Sequence, residues 1–283
     1  MDILITGATG NVGCAVLAAL AGSGHRVFAG VRDPASAQLP DDVIPVAVDL
    51  ATGTGPDRRF DAIFLMRPPQ IADPAPFRRF LDPHARETRI VFLSVQGAES
   101  RGYLPHAKIE RVIRDMGFAR CFVRPAYFME NLVTTLAPEL KRTGRVYLPA
   151  GRLGLDWVSA RDIAEVIAAA LTGATGRDAV TVASGHKLDF AGALATVNAV
   201  AGTGFRYVPA SLPGYIRHAR KQGMGWAMIG VMLLLHFLPR FGRAEAGTGD
   251  AETVLGRPLE TLDDWAARNK GALRALAGPA RST

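Results

Sequence analysis

The chain is poor in cysteine, with two thiols, Cys14 and Cys121, among 283 residues. They lie far apart in apolar stretches, so no spacing suggests a zinc site or a redox dithiol, and no metal is expected. Both read as buried, reduced thiols of a cytoplasmic protein. Long apolar runs are also lacking. The longest, Trp226 to Leu238, is interrupted by Gly230 and His236 and falls short of the ~20 residues a spanning helix needs. A buried or ligand-lining helix is expected there, and no membrane partner. No leader is read, because Met1 runs directly into a strand pattern. Acid is scarce relative to base: 26 Asp and Glu against 33 Lys and Arg leave a net charge of +7. The basic residues are scattered. The densest groups, Arg58-Arg59, Arg78-Arg79, Lys141-Arg142 and the Arg217–Lys221 run, are not interleaved with aromatics. A soluble basic surface is therefore expected rather than a nucleic-acid site. A composition that is 48% hydrophobic and 21% charged is ordinary for a globular protein and does not indicate disorder.

What the chain does have is a glycine turn at its very start. Ile3–Ile5 is an apolar strand, Gly7, Gly10 and Gly13 follow, and Val12–Ala21 has a helical pattern. Glycines let the backbone turn tightly and let a pyrophosphate come close, and the helix start presents N–H groups to the anion. The spacing is G-x-x-G-x-x-G, not the commoner G-x-G-x-x-G. Strand and helix signals then alternate. Strands are predicted at 26–31, 43–48, 62–66, 89–94 and 121–123, with helices at 74–81 and 106–116. Apolar strands separated by helices predict an α/β, doubly wound parallel sheet covered on both faces, with ligands beyond the strand C-termini. Beyond residue 140 the pattern loosens into short strands and helices, including a helix over 163–171, a Gly-rich loop at 242–249 and a final helix over 261–276. The organisation expected is a nucleotide-binding domain over 1–150, with 156–172 packing back on it, and a smaller α+β substrate region over 173–283.

The end of the second strand bears on cofactor choice. NAD binders place an acid there for the ribose 2′-hydroxyl. Here Val31 is followed by Arg32 and then Asp33. A guanidinium suits a 2′-phosphate, so NADP is favoured, while Asp33 keeps NAD open. Asp49 stands where an adenine contact would lie, with a plain loop aspartate as the alternative.

Four segments together resemble the NmrA-like branch of the atypical short-chain dehydrogenases: Ile3–Gly13, Val31-Arg-Asp-Pro34, Val91-Phe-Leu-Ser94 and Arg124-Pro-Ala-Tyr-Phe-Met-Glu-Asn-Leu132. Asp156–Ala164 and Gly256–Trp265 fit that family's later segments. The resemblance implies a Rossmann domain, a smaller substrate domain and NAD(P) binding. It implies cofactor contacts at Gly7, Thr9, Gly10, Asn11, Val12, Arg32, Asp49, Met66 and Arg67, continuing through Ser94, Val95, Gln96 and the Tyr127–Asn131 stretch. It also implies activities such as reduction of quinones, azo compounds and ketones, with some members only sensing the cofactor.

The chain departs from typical short-chain dehydrogenases in lacking their Tyr-x-x-x-Lys pair. Tyr103 and Lys108 are five apart with Pro105 between them, and one helical face needs a spacing of three or four. His106, Lys108 and Tyr127 are the remaining candidates for catalysis, Lys108 doubling as a cofactor contact. His106 is attractive because histidine titrates near neutrality. Each has a plain reading beside the catalytic one: a helix-start polar residue, a surface lysine and a core aromatic. Tyr127, Asn131, Trp226, Met232 and Phe237 are candidates for lining a substrate site, the last three from the apolar 224–241 stretch, which could equally be a core helix or be buried against a second subunit. The leading expectation is an NADP(H)-dependent reductase of an aromatic or quinone-like small molecule, acting as monomer or homodimer. The alternative is a non-catalytic NADP sensor that binds a partner protein.

Overall fold

The computed structural model describes residues 1–241 and 249–277. Most of the expected 242–249 loop and the 279–283 tail lie outside these. In chain order the elements are β1 (Asp2–Thr6), α1 (Asn11–Leu20), β2 (Arg26–Val31), β3 (Val43–Ala47), β4 (Ala62–Met66), α2 (Ala75–Leu81), β5 (Arg89–Leu93), α3 (Pro105–Asp115), β6 (Arg120–Pro125), β7 (Tyr127–Phe128), α4 (Ala137–Thr143), β8 (Arg145–Leu148), β9 (Leu155–Val158), α5 (Ala160–Leu171), β10 (Ala179–Val182), β11 (Lys187–Leu188), α6 (Phe190–Ala201), β12 (Arg206–Pro209), α7 (Leu212–Lys221), α8 (Trp226–His236), α9 (Asp250–Leu255), α10 (Leu262–Arg268) and α11 (Lys270–Ala277).

These elements form two units. The first takes Met1–Ala126, Ala160–Ala183 and the described part of Thr248–Leu259. Its sheet runs in the order β10-β6-β5-β4-β1-β2-β3, parallel throughout. The six strands from β3 to β6 follow the 3-2-1-4-5-6 order of a doubly wound dinucleotide fold, and the direction of winding reverses between β1 and β4. The glycine turn leaves β1 at that switch point. Alternation along the strands divides the core. Leu4, Phe28, Ile63, Leu65, Phe92 and Phe122 join Phe77, Phe80, Ile109 and Ile113 from α2 and α3, while α1 and α5 pack together and α5 lies across β4, β5 and β6. Pro45 sits in β3, an edge strand, where a missing N–H costs no ladder bond on the open side.

The second unit takes Tyr127–Ser159, Ser184–Gly247 and Glu260–Thr283, as far as these are described. It holds two small sheets, β11-β9-β7 and β12-β8, around a core that includes Tyr127, Trp157, Phe190, Leu194, Val197, Met232 and Trp265. The expected 261–276 helix is two helices. Thr261 Oγ1 caps α10 by accepting from Asp264 N at 3.2 Å, and α10 ends where Asn269 Nδ2 donates to Trp265 O. Of the two thiols, Cys121 is buried and Cys14 is exposed, correcting the expectation of two buried ones. Cys14 falls on the solvent side of α1, between the buried Gly13 and Val16. Among the described residues no helix is long and apolar enough to cross a membrane, and no group of three or more His, Cys, Asp or Glu could hold a metal ion.

Candidate active site

At the end of β1 the chain turns through Gly7 at φ +63°, a left-handed conformation that favours glycine. A Cβ on Gly13 would lie 2.1 Å from Gly7 O. Gly7 thus makes the turn, and Gly13 lets α1 pack directly on it. Gly10 N donates to Gly7 O at 3.0 Å, and Gly10 is the N-cap of α1 with no side-chain oxygen capping the first turn. Free N–H groups at the positive end of a ten-residue helix suit a diphosphate. The Met66 methyl lies against the turn, 2.2 Å from where a Gly7 Cβ would stand and 3.6 Å from one on Gly10. Thr9 and Asn11 are exposed beside it, while Val12 is buried. The cradle fits a dinucleotide and would admit no Cβ at Gly7 or Gly13.

The end of β2 separates the two charges that follow it. Asp33 Oδ1 accepts from Ala35 N at 3.1 Å and Oδ2 from Ser36 Oγ at 2.8 Å, so this carboxylate closes its own turn. Arg32 is exposed and makes no hydrogen bond or ion pair among the described residues. Asp49 behaves as Asp33 does. Its Oδ1 accepts from Ala51 N at 2.8 Å, and its backbone closes a turn with Gly53 and Thr54.

Beyond β4, Arg67 is occupied by its own loop. Nη1 donates to the carbonyls of Pro68, Pro69 and Ile71 at 3.2, 2.9 and 2.8 Å. Its Nε donates to His106 Nε2 at 3.3 Å. That bond assigns the His106 proton to Nδ1. Burial and then the Arg67 charge push the His106 pKa down to about 3, against a smaller opposing effect from Glu110. The expectation of a histidine titrating near neutrality is thus corrected: His106 is a neutral imidazole. Lys108 is exposed on α3. Tyr103 precedes that helix, which begins at Pro105, so the two share no helical face.

Ser94, Val95 and Gln96 follow β5. Gln96 N donates to Pro125 O at 3.0 Å. The Ser94 hydroxyl donates to Glu110 Oε1 at 2.6 Å. Arg124 meets the same buried carboxylate through Nε at 2.9 Å and Nη2 at 2.7 Å, and Arg114 adds a contact at 2.7 Å. Burial alone would raise the Glu110 pKa. The Arg124 and Ser94 hydrogen bonds, with the two guanidinium charges, outweigh it and hold the carboxyl below its usual range. This knot ties the ends of β5 and β6 to α3. Its partners are up to sixteen residues apart in sequence.

In the second unit, Tyr127 is a core residue. Its ring makes edge contacts with Trp157, Phe190 and His236 at centroid distances of 4.8, 5.8 and 5.5 Å. Its hydroxyl lies 2.9 Å from His236 Nε2, and His236 Nδ1 lies 2.8 Å from Met232 O. Since a carbonyl only accepts, Nδ1 carries the proton and the phenol donates to Nε2. Burial raises the Tyr127 pKa well above its ordinary value, with a hydrogen bond from Asn131 opposing it. Burial lowers that of His236 to about 4, against the Met232 bond. A phenol so held is a poor proton donor. Met232 is also core, at 3% exposure, whereas Trp226 is 65% exposed. Six positions apart on one helix, they point about 120° apart around its axis, so α8 does not gather them into one wall. Phe237 is partly buried and packs edge-on to Phe241 at 5.3 Å. Asn131 is partly buried, within reach of Thr135 Oγ1 at 3.5 Å. His236, which sequence reading treated as an interruption, is the polar centre of this unit.

No family model matches the chain. A curated NAD(P)H azoreductase of Xenophilus azovorans is 27% identical over 292 residues, covering 96% of this chain and 99% of that protein. The Escherichia coli NADPH-dependent quinone oxidoreductase QOR2, solved with NADPH, superposes with a TM-score of 0.76 at 20% identity, covering 94% of this chain and 99% of that one. NmrA, a negative transcriptional regulator solved with NADP, superposes with a TM-score of 0.69 at 17% identity, covering 99% and 98%. The chain shares the fold of these proteins. The sheet order and the second unit built from returning segments belong to that shared fold.

Proposed function

We propose that the chain is an NADP(H)-dependent reductase that passes hydride to an apolar, aromatic or quinone-like acceptor. The observation that supports it most is the combination, in one unit, of the uncapped α1 start with an unpaired Arg32 beyond β2. Gly7, Gly10, Gly13 and the first turn of α1 hold the diphosphate. Arg32 takes the 2′-phosphate, while Asp33 is held in its own turn and leaves that charge uncontested. Met66 packs on the turn, and the Glu110 knot keeps Ser94–Gln96 in place at the end of β5. When bound, the nicotinamide supplies the hydride. The acceptor class rests on the relatives, an azoreductase and a quinone oxidoreductase.

Neither His106 nor Tyr127 is a ready acid at neutral pH, given their burial and bonds. Lys108 and solvent remain as proton sources, and a quinone needs little more, because it accepts hydride readily. The test is NADPH fluorescence titration followed by NADPH oxidation with quinones, azo dyes and ketones. Saturable binding with turnover of one class is expected. Binding with no turnover of any would sink the reductase reading and favour the second one, a cofactor sensor. The missing Tyr-x-x-x-Lys pair and the likeness to the regulator NmrA support that second reading.

A further inference from the structure

The most unusual surface on the molecule is in the second unit, over α7, α8 and the 3-10 turn Leu238–Phe241. The inward face of α8 is Ile229, Met232 and His236, at i, i+3 and i+7. Its other faces are not polar, as they would be on an ordinary surface helix. Trp226, Met228 and Leu235 are 65%, 41% and 41% exposed, and Leu238 and Phe241 beyond it are 52% and 74% exposed. Among the described residues, five of the nine exposed large hydrophobic ones thus fall within sixteen positions.

The charge around them has one sign. From Phe190 to Phe241 the sequence contains no Asp or Glu and five Lys or Arg. Arg217, Arg220, Lys221 and Arg240 are exposed, and none forms an ion pair among the described residues. Two of them are held beside the exposed aromatics at either end of the apolar stretch. Arg220 lies over Trp226 at 5.1 Å, and Arg240 lies over Phe241 at 5.8 Å. An apolar strip with tryptophan and phenylalanine at its ends, flanked by unpaired cations, is the composition of a helix that rests in a lipid interface.

We propose that α7, α8 and the following turn dock the protein on an anionic bilayer surface, with α8 lying in the interfacial plane. The proposal is independent of the cofactor reading. Self-association is disfavoured on physical grounds, because a two-fold contact through this face would set its unpaired cations against their own copies. An eleven-residue helix is about half the length needed to span, so the contact is peripheral. It revises the expectation of no membrane partner.

The experiment is flotation of the full chain with phosphatidylcholine vesicles, with and without about one third phosphatidylglycerol, at low and high salt. Co-flotation with the anionic vesicles only, reversed by salt, is expected. Trp157 is 4% and Trp265 0% exposed, so the fluorescence blue shift and quenching by brominated lipid should come from Trp226 and vanish in Trp226→Ser. Each cation near the surface contributes about fivefold to partitioning, so R220E with K221E should lower binding at least tenfold. The exposed pair Arg78 and Arg111, changed likewise to Glu, should lower it far less. Several results overturn the proposal: no flotation at low salt, equal losses from the two charge pairs, quenching that survives Trp226→Ser, or a Trp226-dependent dimer in sedimentation equilibrium without lipid. Folding of each variant is checked by its unfolding midpoint, which exposed substitutions should leave in place.

Discussion

At the residue scale, two side chains of like charge at strand ends have different roles because of their partners. Arg67 is bonded to three carbonyls of its own loop and to His106. Arg32 is bonded to nothing described. Arg32→Ala should therefore weaken NADPH about ten- to a hundredfold, the range of one or two charge-assisted hydrogen bonds, and leave NADH nearly unchanged. Titration of both cofactors checks this, and equal losses would refute the 2′-phosphate assignment. His106 gives a contrasting expectation. As a neutral imidazole it should not be the acid, so His106→Gln should leave the pH profile of kcat between pH 6 and 8 unaltered in shape; a lost limb would restore it as the proton donor. The tight turn after β1 and the strand end that carries Arg32 were legible in sequence because they depend on backbone and on neighbours one or two positions away. Tyr127 was not, because its partner His236 is 109 residues distant and nothing local distinguishes a pinned phenol from a free one.

At the element scale, the parallel sheet was legible because each of its inner strands is buried on both sides and reads as a continuous apolar run. The short strands β7, β8, β9 and β11 escaped notice. They are two to four residues long and exist through partners far along the chain, as β7 does on β9 and β12 on β8. No periodicity can develop in so few residues. The Glu110 knot belongs to this scale, since it joins β5, β6 and α3. Glu110→Ala would leave the buried Arg124 guanidinium with only the half-exposed Glu99 carboxylate, 3.3 Å away. Breaking one partner of such a pair costs about 3–5 kcal/mol. Glu110→Ala should lower urea stability by that order, while Glu110→Gln, which keeps the volume and an acceptor, should lose less. Nearly equal, small losses for both would show that the knot is not a buried ion pair in energetic terms.

At the scale of the whole molecule, burial lowers the pKa of three histidines: His106 in the first unit, to about 3, His236 in the second, to about 4, and His84 in the first, in the same direction. An unfolded histidine titrates near 6.5. Below that value the unfolded chain binds protons that the native chain refuses, so stability is fully present above pH 6.5 and is lost as pH falls toward the folded values. The sign is opposite to that of a histidine gaining a carboxylate partner. Glu110, with its lowered pKa, adds an acid limb in the same direction, but only below the ordinary carboxyl range near 4.5. The interval from pH 6.5 to 5 therefore isolates the histidines. Over it His106 and His236 should each remove roughly 1.5 kcal/mol, within the limit of about 1.4 kcal/mol per pH unit for one proton, and His84 adds to the fall in the same direction. Urea unfolding across that interval should show the midpoint fall. His236→Gln should start lower at pH 7.5, for want of the bond to Tyr127, and then fall less steeply; His106→Gln should flatten the remaining slope. A wild-type midpoint that stays level between pH 6.5 and 5 would mean that neither His106 nor His236 is buried neutral. Tyr127 would then face a histidine able to take up a proton, and its place as an inert core phenol would have to be given up.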